Sequence, residues 1–137
     1  MTQLTLPRSI RDAMIDQTRR EWPCECCGLL LGKRVGESAV VESSIPLVNE
    51  LQSSNAFRSE PKSMFAAIRT IRESNAEIVA VYHSHPMSKP VPSERDCKEL
   101  VYLDAFTCIV GMESKFLSIR VWQFRDGQFS EVKIESV

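Results

Sequence analysis

Two periods of apolar residues alternate along the chain, one near 3.6 and one near 2. In "PRSIRDAMIDQTRREW", Ile10, Met14 and Ile15 recur at helical spacing. Pro7 suits the first turn there, and Ser9 is an alternative cap. "CGLLLGKR" is a short apolar run between glycines and predicts a buried strand. "SAVVESSIPLVN" is rich in β-branched residues and predicts a second strand, broken near Pro46. Residues 50–60 read as loop. "PKSMFAAIRTIRESN" places Met64, Phe65, Ile68 and Ile71 on one face of a helix opened by Pro61. "EIVAVYHSHP" predicts a central strand whose polar residues gather at its C-terminal end. "SERDCKELVYL" predicts a helix capped by Ser93, with Glu94 in its first turn. "AFTCIVGM" and "FLSIRVWQF" read as strands, and the Asp126-Gly127 turn leads into a last strand, "FSEVKIESV". The order α-β-β-α-β-α-β-β-β, without internal repeat, predicts an α/β fold with a mixed β-sheet flanked by helices.

Composition narrows the function classes. The chain has 137 residues, 43% hydrophobic and 26% charged, with a net charge of −1. That length suits one domain, 1–137, able to bury a core without staples. The basic residues are dispersed, and the densest pair, Arg19-Arg20, lies between Asp16 and Glu21. This pattern argues against nucleic acid as a partner. No apolar stretch reaches the ~20 residues that span a bilayer. Charge and Pro7 interrupt the start before a signal-peptide apolar region develops. The expectation is a cytoplasmic protein with no membrane partner. Its five cysteines (Cys24, Cys26, Cys27, Cys97 and Cys108) should then be reduced.

Both histidines of the chain lie in "YHSHPMSKPVPSERD". On a strand, side chains at i and i+2 share a face, so His83 and His85 project together while Ser84 points away. Pro86 ends the ladder directly afterwards. Two imidazoles and one carboxylate around an open fourth position form a catalytic rather than a structural zinc arrangement. Asp96 can supply the carboxylate if the helix at 93 turns back towards the strand end.

"HSHPMSKPVPSERD" matches His-x-His-x7-Ser-x2-Asp residue for residue, and "PCECCGLLLG" supplies an upstream Glu-x-Cys-Gly. In these features the chain resembles the JAMM (JAB1/MPN/Mov34) metalloproteases, or MPN+ domains, over nearly its whole length. The resemblance implies a cytidine-deaminase-like fold and one zinc ion (Zn2+) per chain. It implies His83, His85 and Asp96 as metal ligands, Glu25 as general base, and Ser93 as the hydroxyl that steadies the oxyanion. It also makes Asn49 a candidate contact to the substrate backbone. Compact bacterial members act on ubiquitin-like sulfur-carrier proteins, cutting after a C-terminal Gly-Gly tail. An extended tail added to a sheet edge would be a natural substrate mode. Oligomeric state is left open, a homodimer included.

Blander readings stand beside these. Glu25 alone would be a strand-edge carboxylate, Ser93 an ordinary N-cap and Asp96 a first-turn acid. "CECC" is too tightly spaced for paired Cys-x2-Cys zinc units, and free cysteines are often buried. A cysteine nucleophile with a histidine partner is a further alternative. Trp22, Phe57 and Phe65 read as core or groove-lining residues. An inert MPN scaffold would bind protein without cleaving it, although such members typically lack motif residues that are all present here.

Overall fold

The structure is a computed structural model that describes residues 2–94, 96 and 104–137. Its elements are β1 (Gln3–Leu6), α1 (Arg8–Glu21), β2 (Cys27–Val35), β3 (Ser38–Leu47), α2 (Pro61–Ser74), β4 (Glu77–His85), β5 (Phe106–Glu113), β6 (Phe116–Arg125) and β7 (Gln128–Ser136). The strands form one mixed sheet in the order β1-β3-β2-β4-β5-β6-β7, closed by pairing of β7 with β1. The α/β class and mixed sheet agree with the sequence expectation. The helix expected from Ser93 falls mostly outside the described residues; Glu94 and Asp96 are helical.

α1 forms where the 3.6-residue pattern predicts it, with Pro7 rather than Ser9 in the capping position. Ile10, Met14 and Ile15 join residues from all seven strands in one core, among them Leu30, Val41, Val79, Tyr82 and Val121. The opposite face of the sheet carries a second cluster, in which Cys27, Leu29, Leu31 and Leu47 meet Ala67, Met64 and Ile71 of α2.

Two expectations need correction, and one strand was not foreseen. β1 is that strand, four residues lying parallel to both β3 and β7, and parallel pairing leaves no local turn signal. Pro46 does not break β3 but pairs with Gly28 inside it. β1 covers β3 only at Ala39 and Val40, so Pro46 sits where one side of β3 is an open edge and a missing N–H is tolerated. On α2 the stripe packed on the sheet is Met64-Ala67-Ile71, with Ala67 buried and the other two half-buried, whereas Phe65 and Ile68 are exposed. The helix meets the sheet along a narrower strip than its apolar face offers.

Two β-bulges shape the region around β2. Leu31 and Gly32 pair with Ser43 and Val41, skipping Glu42, and Leu30 and Leu31 pair with Ala80 and Ile78, skipping Val79. A Cβ at Gly32 would lie 1.9 Å from the Val40 carbonyl oxygen, so the first bulge requires glycine. Gly32→Ala should lower stability by about 2 kcal/mol, as overpacking against rigid backbone does. Urea unfolding with a lowered midpoint and an unchanged slope is the expected result.

Candidate metal centre

The site is built at the C-terminal end of β4, a strand flanked by β2 and β5. His83 lies opposite Cys27 on one side and Ile109 on the other. The imidazoles of His83 and His85 share a face, with Nε2 atoms 3.3 Å apart. Asp96 closes the group: Oδ1 is 3.0 Å from His83 Nε2, and Oδ2 is 3.3 Å from His85 Nε2. Ser84 points to the other face, where its Oγ accepts the Cys26 N–H at 2.8 Å.

The neighbours orient these donors. His85 Nδ1 is 3.0 Å from the Lys89 carbonyl oxygen. A carbonyl can only accept, so Nδ1 carries the proton and a neutral ring turns the Nε2 lone pair towards His83 and Asp96. Phe57 stacks on His83, with centroids 4.7 Å apart and planes inclined by 21°. Asp96 accepts the Ser93 N–H at 2.7 Å while Ser93 Oγ accepts the Asp96 N–H at 3.2 Å. This reciprocal pair is a capping box. It fixes the carboxylate and leaves the hydroxyl hydrogen of Ser93 available to donate elsewhere.

Electrostatics report the same convergence. Burial pushes the Asp96 carboxyl up, but hydrogen bonds from His83 and His85 outweigh it and hold the group well below the usual carboxylate range. Burial pushes His85 down, but the Asp96 and Lys89 contacts prevail and raise its pKa, with Glu25 adding to the rise. The three residues are the group whose donor atoms could hold a metal among the described residues. Zinc bonds of about 2.0–2.1 Å in tetrahedral geometry place neighbouring ligand atoms about 3.3 Å apart. The observed separations fit that requirement, and the donor set is of the type zinc prefers.

Glu25 is buried just before β2. Cys27 pairs with His83 and the Cys26 carbonyl accepts the Ser84 N–H at 3.0 Å, so the next step of this antiparallel ladder brings position 25 level with His85. The Glu25 N–H donates to the Ser53 carbonyl at 2.7 Å. Asn49 is buried, and its Nδ2 donates to the carbonyls of Glu25 and Ala56, each at 3.0 Å. Its Oδ1 accepts from the Leu51 and Arg58 N–H groups at 3.1 and 3.0 Å. The amide's two donors and two acceptor sites thereby meet main-chain groups of the protein itself. Asn49 ties the 49–58 loop to the backbone of Glu25.

The thiols stand apart from this chemistry. The four described cysteines are unpaired: Cys24 is half-buried, and Cys26, Cys27 and Cys108 are buried. Cys97 lies outside the described residues. Burial pushes Cys26 up, and pushes Cys27 and Cys108 up to about 12. A cysteine nucleophile needs the opposite shift. Of the three aromatics considered from sequence, Phe57 lines the site. Phe65 is on the surface, and Trp22 lies at the rim with its indole Nε1–H directed to the Pro86 carbonyl at 3.4 Å. The Lys89 carbonyl was missed, because a main-chain acceptor has no residue signature.

Residues 7–125 match the family described as prokaryotic homologs of the JAB domain. The chain is 34% identical over 97 residues to a Thermus thermophilus protein named a probable TtuB-protein conjugate cleaving protease. That match covers 70% of this chain and 62% of the relative. It is 26% identical over 135 residues to the CysO-cysteine peptidase of Mycobacterium tuberculosis, covering 98% of this chain and 91% of that one. It is 30% identical over 111 residues to the desampylase of Pyrococcus furiosus, covering 80% and 74%. In structure it is similar to a Desulfitobacterium hafniense protein solved in solution, with a TM-score of 0.86 and 26% identity, covering 100% and 93% of the two chains.

Two measurements check this geometry. Asn49→Ala leaves buried backbone groups unsatisfied and should cost about 2 kcal/mol in denaturant unfolding. Iodoacetamide at pH 8 should leave Cys26, Cys27 and Cys108 unmodified in the native protein, because raised pKa values keep them as thiols. Mass spectrometry should find all three alkylated after denaturation.

Proposed function

The chain belongs to the prokaryotic JAB-domain family, and from that premise we propose that it is a zinc metallopeptidase or isopeptidase. Its substrate would be the amide bond after the Gly-Gly tail of a ubiquitin-like sulfur-carrier protein. The observation that carries the reading is the convergence of His83 Nε2, His85 Nε2 and an Asp96 oxygen pair within bonding reach of one cation. The names of the Thermus, Mycobacterium and Pyrococcus relatives support the substrate class. The whole chain, 1–137, would act as one domain.

His83, His85 and Asp96 would hold the ion. When bound, zinc supplies Lewis acidity, polarising a carbonyl oxygen and bringing the pKa of a water to about 7. Glu25 accepts a proton from the attacking water and delivers it to the leaving amine as the C–N bond breaks. Removing such a proton shuttle typically costs 10²–10⁴-fold, roughly, in rate. Ser93 directs its hydroxyl hydrogen to the oxyanion that forms as water adds to the carbonyl. A donor of this kind contributes about 3 kcal/mol. The products are a free carboxylate on the carrier tail and the released amine.

No helix among the described residues is long and apolar enough to cross a membrane. A cytoplasmic setting agrees with the unpaired state of the described cysteines. The alternative is an inert scaffold in which the same donors hold an ion without turnover.

Purified protein should contain about one zinc per chain, and chelation should abolish cleavage of a carrier–amino-acid fusion. Glu25→Gln should retain zinc and lose about 100-fold or more in turnover, read by mass spectrometry of the carrier tail. Zinc-loaded protein that leaves a broad panel of such fusions intact would favour the scaffold.

A further inference from the structure

Gly111 is the ladder partner of His85 across β4 and β5. Parallel partners present their side chains to the same face, so a side chain at 111 would stand beside the imidazole of His85. That space is occupied by main chain. A Cβ at 111 would lie 2.5 Å from Pro90 N, 2.7 Å from Ser88 O and 2.8 Å from Lys89 C. Residues 86–90, which leave the strand directly after His85, fold back over Gly111.

Several bonds hold them there. The Met112 N–H donates to the Ser88 carbonyl at 2.7 Å, and the Ser88 N–H to the His85 carbonyl at 3.3 Å. From β6, the Trp122 indole Nε1–H donates to the Pro90 carbonyl at 3.0 Å. Pro86 and Pro90, at the two ends, are buried. The segment thus presents the Lys89 carbonyl to His85 Nδ1 at 3.0 Å.

We propose that Gly111 and Trp122 are positioning residues for the metal centre: by seating the 86–90 strap, they fix the ring orientation and tautomer of His85. Neither touches the ion or the substrate. The missing side chain at 111 lets the strap descend to the sheet, and the indole N–H secures its far end. With the strap displaced, Nδ1 loses its acceptor, and the ring is free to turn or to place its proton on Nε2, where it blocks ligation. Outer partners of metal-binding histidines typically contribute 10–100-fold, roughly, to metal affinity.

The inference rests on the zinc reading above, and the experiment separates the two. Zinc affinity is measured by chelator competition, and the ligand field by the visible spectrum of the cobalt(II)-substituted protein. The wild type is compared with Gly111→Ala, Trp122→Phe and Val41→Ala, all well below their thermal midpoints. Val41 is buried in β3, away from the strap, so Val41→Ala controls for loss of stability alone. Expected are zinc binding weakened about 10-fold in Trp122→Phe and 10–100-fold in Gly111→Ala, with altered cobalt spectra. Val41→Ala should stay within about twofold of wild type. Should Gly111→Ala fail to fold, Trp122→Phe decides, because it removes the indole N–H while keeping an aromatic ring.

Wild-type affinity and spectrum in a folded Trp122→Phe or Gly111→Ala variant would overturn the strap while leaving the metal centre standing. An equal loss in Val41→Ala would overturn it as a nonspecific stability effect. A wild-type protein that binds no zinc would remove the metal reading, and the strap with it.

Discussion

The face that carries His83 and His85 exists because β4 changes parity at Val79. Ile78 packs on the α2 side of the sheet, and an uninterrupted strand would continue with 80, 82 and 84 on that side. The bulge at Val79 shifts the alternation by one, so that Val81 packs against α2 while Ala80 and Tyr82 turn into the core around α1. His83 and His85 follow Val81 onto the α2 side. A one-residue slip in a strand exchanges its two faces. Were the same residues paired without the bulge, both imidazoles would point into the apolar interior, away from Phe57 and Asp96. Bulges next to active sites commonly re-aim side chains in this way.

Around that fixed pair, burial and hydrogen bonding act in opposition. Removing Asp96 and His85 from water disfavours their charged forms, yet their mutual contacts reverse the shift in each. The result is a preorganised set of donor atoms held close together. The supports are mainly main-chain groups: the Lys89 carbonyl behind His85, the Ser93 N–H on Asp96, and the Glu25 carbonyl gripped by Asn49. Backbone supports do not depend on long side chains, so they lose little conformational freedom in holding position.

The sequence was informative wherever a local rule operates. The i, i+2 relation of His83 and His85, the capping relation of Ser93 to Asp96 and the turn at Asp126-Gly127 each follow from neighbours in the chain. Both turn residues adopt positive φ, 52° and 77°. What could not be read depends on partners far away. The continuation of β3 through Pro46 required knowing that its outer edge is free. The exposure of Phe65 required knowing how narrowly α2 touches the sheet. The main-chain partners of Asn49 could not be read either, since an asparagine that holds carbonyls and one that meets substrate look alike in sequence. Gly111 carried a usable signal, because a glycine inside an otherwise apolar strand often marks a close approach of main chain.

Closure of the sheet has a consequence for how the chain could be rewired. β1 lies against β7 from Gln3↔Lys133 to Leu6↔Ser136, and the Val137 carbonyl accepts the Arg8 N–H at 2.9 Å. Because the two strands run parallel, the described chain enters β1 at one rim of the ring and leaves β7 at the other, where Val137 meets Arg8. A linker joining the two ends must run back along β1, about 15 Å, and new ends could then be opened at the exposed Gly36-Glu37 turn with every strand pairing retained. Circular permutation there would alter the order in which β-structure is synthesised while leaving the group of His83, His85 and Asp96 intact.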